Sequence, residues 1–150
     1  MNRSALIVGA GAGLSSSLAL QCANLGMDVA LAARNIDKLE DLGIQTGASL
    51  HKCDASKIGD VHHLFQDLDE KLGIPELVVY NPSSRLRGGI ETLDPEKTKE
   101  ALDVTCFGAF LVAQQAAKRM LKRGSGSIFF TGASAGVKGF ANSSVFAMGK

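Results

Sequence analysis

Short apolar runs alternate with longer amphipathic stretches along the whole chain. Residues 5–8, 28–33, 48–52, 77–80 and 127–131 are such runs, each bounded by glycine or by polar turn residues. Runs this short and this apolar predict strands buried between two layers. The stretches between them follow the helical period. Residues 14–25 predict a helix with Leu14, Leu18 and Leu25 as its apolar contacts. A shorter helix passes through Ile36, Leu39 and Leu42 and ends near Gly43, and a third carries Val61, Leu64, Phe65, Leu68 and Leu72 on one stripe. Asp94 followed by Pro95 predicts a capped helix start. That helix is expected to reach about Lys122, with Leu102, Ala109, Phe110, Ala113, Ala117 and Met120 on its packed side. Gly108 in its middle costs about 1 kcal/mol relative to alanine, and a close neighbour would explain it. The run 132–142 reads as a loop feeding a last helix that begins near Ser143.

Strands alternating with helices predict a doubly wound α/β sheet. Right-handed crossovers make it parallel, in the order 3-2-1-4-5, with the loop after the first strand at its carboxyl edge. The last helix has about two turns before Lys150, and the fifth strand would leave Ile128, Phe129 and Phe130 on an edge. The expectation is therefore that residues 1–150 are the N-terminal part of a longer domain. A complete five-stranded domain is the alternative.

Composition narrows the function. The chain has 150 residues, 45% of them hydrophobic, enough for one buried core. Sixteen Lys and Arg against fifteen Asp and Glu give a net charge of +1, so no nucleic-acid partner is expected. No apolar run reaches about 18 residues, and the first strand starts too early for a leader, so a cytoplasmic protein without a membrane partner is expected. Cys22, Cys53 and Cys106 are odd in number and far apart. They suit a reducing compartment as core or near-core thiols, not as metal ligands. His51, His62 and His63 are expected on the surface, and no metal site is expected.

The chemistry begins at Gly9, Gly11 and Gly13, between the first strand and the first helix. Missing Cβ atoms let a backbone approach a ligand, and the unpaired N–H groups of a helix start favour phosphate. The three glycines match the dinucleotide fingerprint loosely. A tight turn without a ligand remains the alternative. No Gly-Lys-Ser or Gly-Lys-Thr follows, which excludes a Walker A loop.

Across nearly its whole length the chain resembles the short-chain dehydrogenase/reductase family, which implies a Rossmann-like fold. Val8-Gly9-Ala10-Gly11-Ala12-Gly13-Leu14-Ser15 is similar to that family's Thr-Gly-x-x-x-Gly-x-Gly. Asp54, with Ala55, falls on the acidic position at the adenine ring, and Asn81 on the second residue of Asn-Asn-Ala-Gly. The segment 104–110 resembles Val-Asn-x-x-Gly-x-Phe, with Thr105 at the catalytic Asn position. Phe146 and Lys150 lie on Tyr-x-x-x-Lys, and Ala133 lies at the catalytic Ser position. The resemblance thus implies a nicotinamide cofactor held by Gly9, Gly11, Gly13, Leu14, Arg34, Asn35, Asp54, Ala55, Asn81 and Lys150. It also implies a catalytic centre that has lost its phenol and its serine hydroxyl, with Ser134 and Tyr80 as possible substitutes.

The second strand ends at Ala33-Arg34-Asn35, where relatives specific for NAD carry a carboxylate. A guanidinium suits a 2′-phosphate, so NADP(H) is expected over NAD(H). Arg85, Arg87 and Lys138 flank the expected pocket mouth, either favouring an anionic substrate or forming an ordinary charged rim. The helices 95–122 and 143 onward resemble those through which the family forms homo-oligomers. Two functional classes follow. One is an NADP(H)-dependent oxidoreductase for a small carbonyl or alcohol substrate with an atypical site. The other is a dinucleotide-binding protein, regulatory or structural, without dehydrogenase activity.

Overall fold

A computed structural model describes residues 3–150. Strands β1 (Ser4–Val8), β2 (Asp28–Ala33), β3 (Ser49–Lys52), β4 (Leu77–Tyr80) and β5 (Ser127–Phe130) form one sheet. All pairings are parallel, in the order β3-β2-β1-β4-β5, as expected from the alternation. The helices are α1 (Leu14–Asn24), α2 (Glu40–Thr46), α3 (Ile58–Lys71), α4 (Pro95–Leu102), α5 (Gly108–Arg123) and α6 (Ser144–Gly149). The chain reverses its direction of progress across the sheet between β1 and β4, which opens a crevice at their carboxyl ends.

β1 is buried over its whole length. Its period of two shows only in what each residue touches. Ala5 and Ile7 join Val29, Leu31 and Val79 in the core against Ala19 and Cys22 of α1. Leu6 and Val8 join Ala30, Ala32, Val78 and Tyr80 against α3 and α5. The α3 stripe packs as expected, with Val61, Leu64, Phe65 and Leu68 all buried, each contributing about 1.5–3 kcal/mol. Asp94 caps α4 through its Oδ1, which accepts the Lys97 N–H at 2.8 Å.

Other helices differ from expectation in phase. On α1 the buried face is Ser15, Ala19 and Cys22, while Leu14 and Leu25 are exposed. Small residues let this helix lie close to the sheet, so packing favours them over the larger leucines. Gly43 is buried inside α2, and the helix ends instead at Gly47, whose φ of 66° supplies the left-handed cap.

The long helix expected after Pro95 is interrupted. Asp103–Phe107 forms a wider π turn between α4 and α5. The residue added by such a turn rotates everything beyond it. The packed face of α5 is therefore Leu111, Val112, Gln115, Ala116 and Met120, and Phe110 is exposed. The same turn exposes Cys106, in contrast to the expected near-core thiol, whereas Cys22 and Cys53 are buried. Gly108 has the anticipated neighbour: a Cβ there would meet the Tyr80 hydroxyl and stand 2.8 Å from the Ala55 carbonyl oxygen.

His51 also departs from expectation. It is buried at 6% exposure, with Nε2 2.9 Å from the Ser49 hydroxyl. β5 lies at the sheet edge with Phe129 and Phe130 exposed. Among the described residues no helix is long and apolar enough to cross a membrane.

Candidate functional site

The loops leaving the carboxyl ends of the strands meet over the crevice beside β1. Gly9, with φ 78°, starts the first of them, and its N–H and that of Ala10 both donate to the Ala32 carbonyl, at 2.9 and 3.1 Å. A Cβ on Gly9 would stand 2.5 Å from the Pro82 nitrogen, so the fold itself demands glycine there. Gly11 and Gly13 are different. Neither has a left-handed φ, and nothing lies within 4 Å of a Cβ built on either. Packing within the protein makes no demand for glycine at these two positions, whereas a ligand approaching the backbone would. α1 starts beside them with no side-chain cap and no acidic residue in its first turn. Its first N–H groups therefore suit an anion.

A cleft of about 320 Å³ opens here, with Gly9, Arg34, Asn35, Asp54, Ala55 and Asn81 in its wall. Gly11, Gly13 and Leu14 lie outside that wall, Leu14 half-exposed at the start of α1. Burial pushes the Asp54 carboxyl up. Two hydrogen bonds from Ser56 to Oδ1, at 2.7 and 3.0 Å, together with the charges of Arg34 and Lys57, outweigh that and leave it below the ordinary carboxylate value. Asp54 is therefore ionised at neutral pH. Arg34 is exposed at the cleft mouth. The Asn35 side-chain oxygen accepts the Asp37 N–H at 3.1 Å, which leaves its NH₂ as the donor. Cys53 also borders the cleft, but burial pushes its thiol up to about 12, so it is no nucleophile.

A chain of hydrogen bonds runs from the glycine loop to Lys150. The Ser15 hydroxyl donates to the Gly9 carbonyl at 3.2 Å and accepts from Asn81 Nδ2 at 2.8 Å. The Thr131 hydroxyl, at the end of β5, lies 2.8 Å from Asn81 Oδ1 and 2.9 Å from the Tyr80 carbonyl. Lys150 Nζ donates to the Thr131 carbonyl at 3.0 Å and reaches that of Pro82 at 3.5 Å. Burial, and then the Arg85 charge, lower the Lys150 pKa. Thr131 and Pro82 were not foreseen as site residues. A small hydroxyl residue at a strand's carboxyl end is the only local signal for the first, and the second has none.

A second cavity of about 440 Å³ holds Ala133, Ser134 and Phe146 in its wall. Ser134 is exposed there, at the start of a 3₁₀ turn (Ser134–Gly136). The Arg85 guanidinium lies over the Phe146 ring, 4.6 Å from its centre. Two other hydroxyls are engaged elsewhere. Tyr80 is buried in the core and donates to the Val104 carbonyl. Burial raises its pKa, so the phenol keeps a proton already committed to the backbone. That removes the ground for treating Tyr80 as a substitute acid. Thr105 is buried in the π turn and donates to the Ala101 carbonyl at 2.8 Å. It also fills the space a Cβ would need at Gly149, and so fixes α6 against the turn.

Known proteins share this architecture. The chain is 30% identical over 126 residues to farnesol dehydrogenase of Aedes aegypti, covering 79% of this chain and 51% of that one. It is 25% identical over 152 residues to the human 3-oxoacyl-[acyl-carrier-protein] reductase, covering 100% and 64%. Among solved structures, a short-chain type dehydrogenase/reductase from Mycobacterium marinum superposes with a TM-score of 0.92 at 27% identity, covering 99% and 63%. The chain spans about half the length of the curated relatives it matches first. The family model described as short chain dehydrogenase matches residues 3–150. With its sheet order and its glycine loop, this chain belongs to the short-chain dehydrogenase/reductase family.

Proposed function

We propose that the protein is an NADP(H)-dependent oxidoreductase acting on a small carbonyl or alcohol substrate through an atypical catalytic site. The observation that carries this reading is the hydrogen-bonded chain from Gly9 through Ser15, Asn81 and Thr131 to Lys150. It ties together Gly9, Asn81 and Lys150, three of the positions this reading gives to the cofactor. The cleft, and the open room that Gly11 and Gly13 leave outside its wall beside the helix start, support a dinucleotide there. Gly9, Gly11, Gly13, Asp54, Ala55, Asn81 and Lys150 would hold it, with Arg34 and the Asn35 amide at the ribose end. Bound there, it would supply or accept a hydride. Arg34 at the mouth, with Ala33 in place of a carboxylate, favours a 2′-phosphate.

Proton delivery is the weak element. Phe146 has no proton to give, and Ala133 donates no hydrogen bond. Ser134 presents an exposed hydroxyl in the same cavity wall. Self-association through α4, α5 and α6 belongs to the same reading, with Phe107 and Phe110 stacked at 6.2 Å and exposed along that segment.

The test is the double substitution Phe146→Tyr with Ala133→Ser in the full-length protein, assayed by NADPH oxidation over small ketones and aldehydes. The rate is expected to rise, by up to about 10²–10⁴-fold. A folded double variant that binds NADPH yet only equals an active parent would refute the assignment of the deficit. The losses at 133 and 146 favour a second reading, dinucleotide binding without dehydrogenase chemistry. That reading expects NADPH binding without turnover, and turnover of any carbonyl by the parent protein refutes it.

A further inference from the structure

We propose that the cavity beside Phe146 receives a substrate bearing an anionic group, a carboxylate or a phosphate, and that Arg85 is the residue that selects it. This names the substrate class of the site just described and rests on that reading.

Phe146 presents its ring face to Arg85 at 4.6 Å. A stacked guanidinium keeps its N–H groups in the plane, where they are available to a two-pronged acceptor. Arg85 and Arg87 both line this cavity, and among the described residues no Asp or Glu lies in its wall. Lys138 adds a third cation at its rim, 5.5 Å over the ring of the lining Phe140.

Among the described residues, none of these three cations forms an ion pair. The ion pairs between permanently charged side chains lie elsewhere, at Arg3–Glu76, Lys99–Asp103 and Arg119–Asp69. Arg85 also borders the groove that holds Asp54, Glu100 and Asp103, yet pairs with none of them. Lys150, the other cation of the site, spends its hydrogen bonds on neutral carbonyls. Its pKa is lowered by burial and then by Arg85, in keeping with cations crowded without an acid. An anion in this cavity would relieve the repulsion.

The cavity shares no lining residue with the cleft beside the glycine loop. Arg85 and Leu86 also border the groove that meets that cleft at Arg34, Asp54 and Val104, so the titration of NADPH-saturated protein separates a substrate anion from a dinucleotide phosphate. Its wall also carries the hydroxyls of Ser134 and Ser143. Ser143 is engaged with the Ala141 carbonyl at 3.2 Å, so Ser134 is the hydroxyl placed to meet the reacting end of a ligand.

The experiment uses calorimetry on the full-length protein, alone and saturated with NADPH. The probes are small 2-oxo and 3-oxo carboxylates with their methyl esters, and sugar phosphates with the free sugars. At least one anionic probe is expected to bind about 10- to 100-fold tighter than its neutral counterpart, the scale of a charged hydrogen bond. Which pair shows the gap distinguishes carboxylate from phosphate. Arg85→Gln should abolish the gap, Arg85→Lys should restore part of it, and Lys122→Gln, the same charge change on α5, should leave it intact. Equal affinity for acids and neutral partners overturns the proposal. So does a gap that survives Arg85→Gln, or the failure of every anionic probe at millimolar concentration. A separate NADPH titration keeps the two readings apart, since loss of dinucleotide binding in the parent protein refutes the proposed function on its own.

Discussion

Replacing Gly9 and Gly11 one at a time by alanine distinguishes a glycine needed by the fold from one needed by a ligand. At Gly9 the backbone has φ 78°, which costs an L-residue about 1–2 kcal/mol. The new methyl would stand 2.5 Å from the backbone nitrogen of Pro82 and 2.7 Å from its Cδ. Those atoms belong to the loop that also carries Asn81 and cannot swing away like a side-chain tip. Overpacking of this kind costs about 1–3 kcal/mol. The two together predict about 2–5 kcal/mol, a large share of the roughly 5–15 kcal/mol that holds a domain folded. At Gly11 the φ is not left-handed and nothing lies within 4 Å. Alanine there is expected to be neutral or to stabilise by about 0.4–1 kcal/mol through the unfolded chain. Its methyl would occupy the space in which a dinucleotide backbone contact would form. Urea unfolding of both variants, with NADPH calorimetry on the folded ones, tests the pair. Gly11→Ala should keep its stability and lose at least about tenfold in NADPH affinity. If it is destabilised as much as Gly9→Ala, the protein's own packing requires that glycine. If it binds NADPH like the parent, Gly11 is not part of the cofactor site.

Arg34→Ala should narrow the preference for NADPH over NADH by about 1–3 kcal/mol, the worth of a charged hydrogen bond. Titration with both cofactors measures it, and an unchanged gap would detach Arg34 from the choice of cofactor. His51 should make stability fall on mild acidification. Burial lowers its pKa from 6.5 against the pull of Asp67 at 3.8 Å. The unfolded chain therefore takes up a proton that the folded one refuses. That stability is complete above about 6.5 and is lost as pH falls towards the depressed folded value. Urea unfolding at about pH 7.5 and about pH 5.5 should show a larger loss in the parent than in His51→Gln. Equal losses would mean that other groups control the acid response.

The sheet was legible in the chain because its information is local. Five short apolar runs separated by helix-length stretches allow few arrangements once crossovers must be right-handed, and the observed order is the expected one. The strand–glycine–helix segment is likewise legible because its residues are adjacent in sequence. Lys150 and Asn81 were placed at one site only through the spacing of family motifs. Thr131 joins them, and Ser15 ties Asn81 to the glycine loop; both roles depend on two strand ends and a helix start coming together.

Helix phase was where sequence alone fell short. Leucines outrank alanine and serine in any hydrophobic pattern, yet α1 buries Ser15, Ala19 and Cys22. The sheet rewards close approach, and that distance is a tertiary quantity. The π turn at Asp103–Phe107 has no compositional signature. It nevertheless turns Phe110 and Cys106 outward and Thr105 inward. His51 shows the same limit from the other side, since its burial depends on which face of β3 the neighbouring elements cover. The replacement of Tyr by Phe at position 146 is written in the sequence, but the guanidinium on its ring is not. Only the fold brings the loop after β4 over α6, and that contact gives Phe146 a role beyond the absence of a hydroxyl.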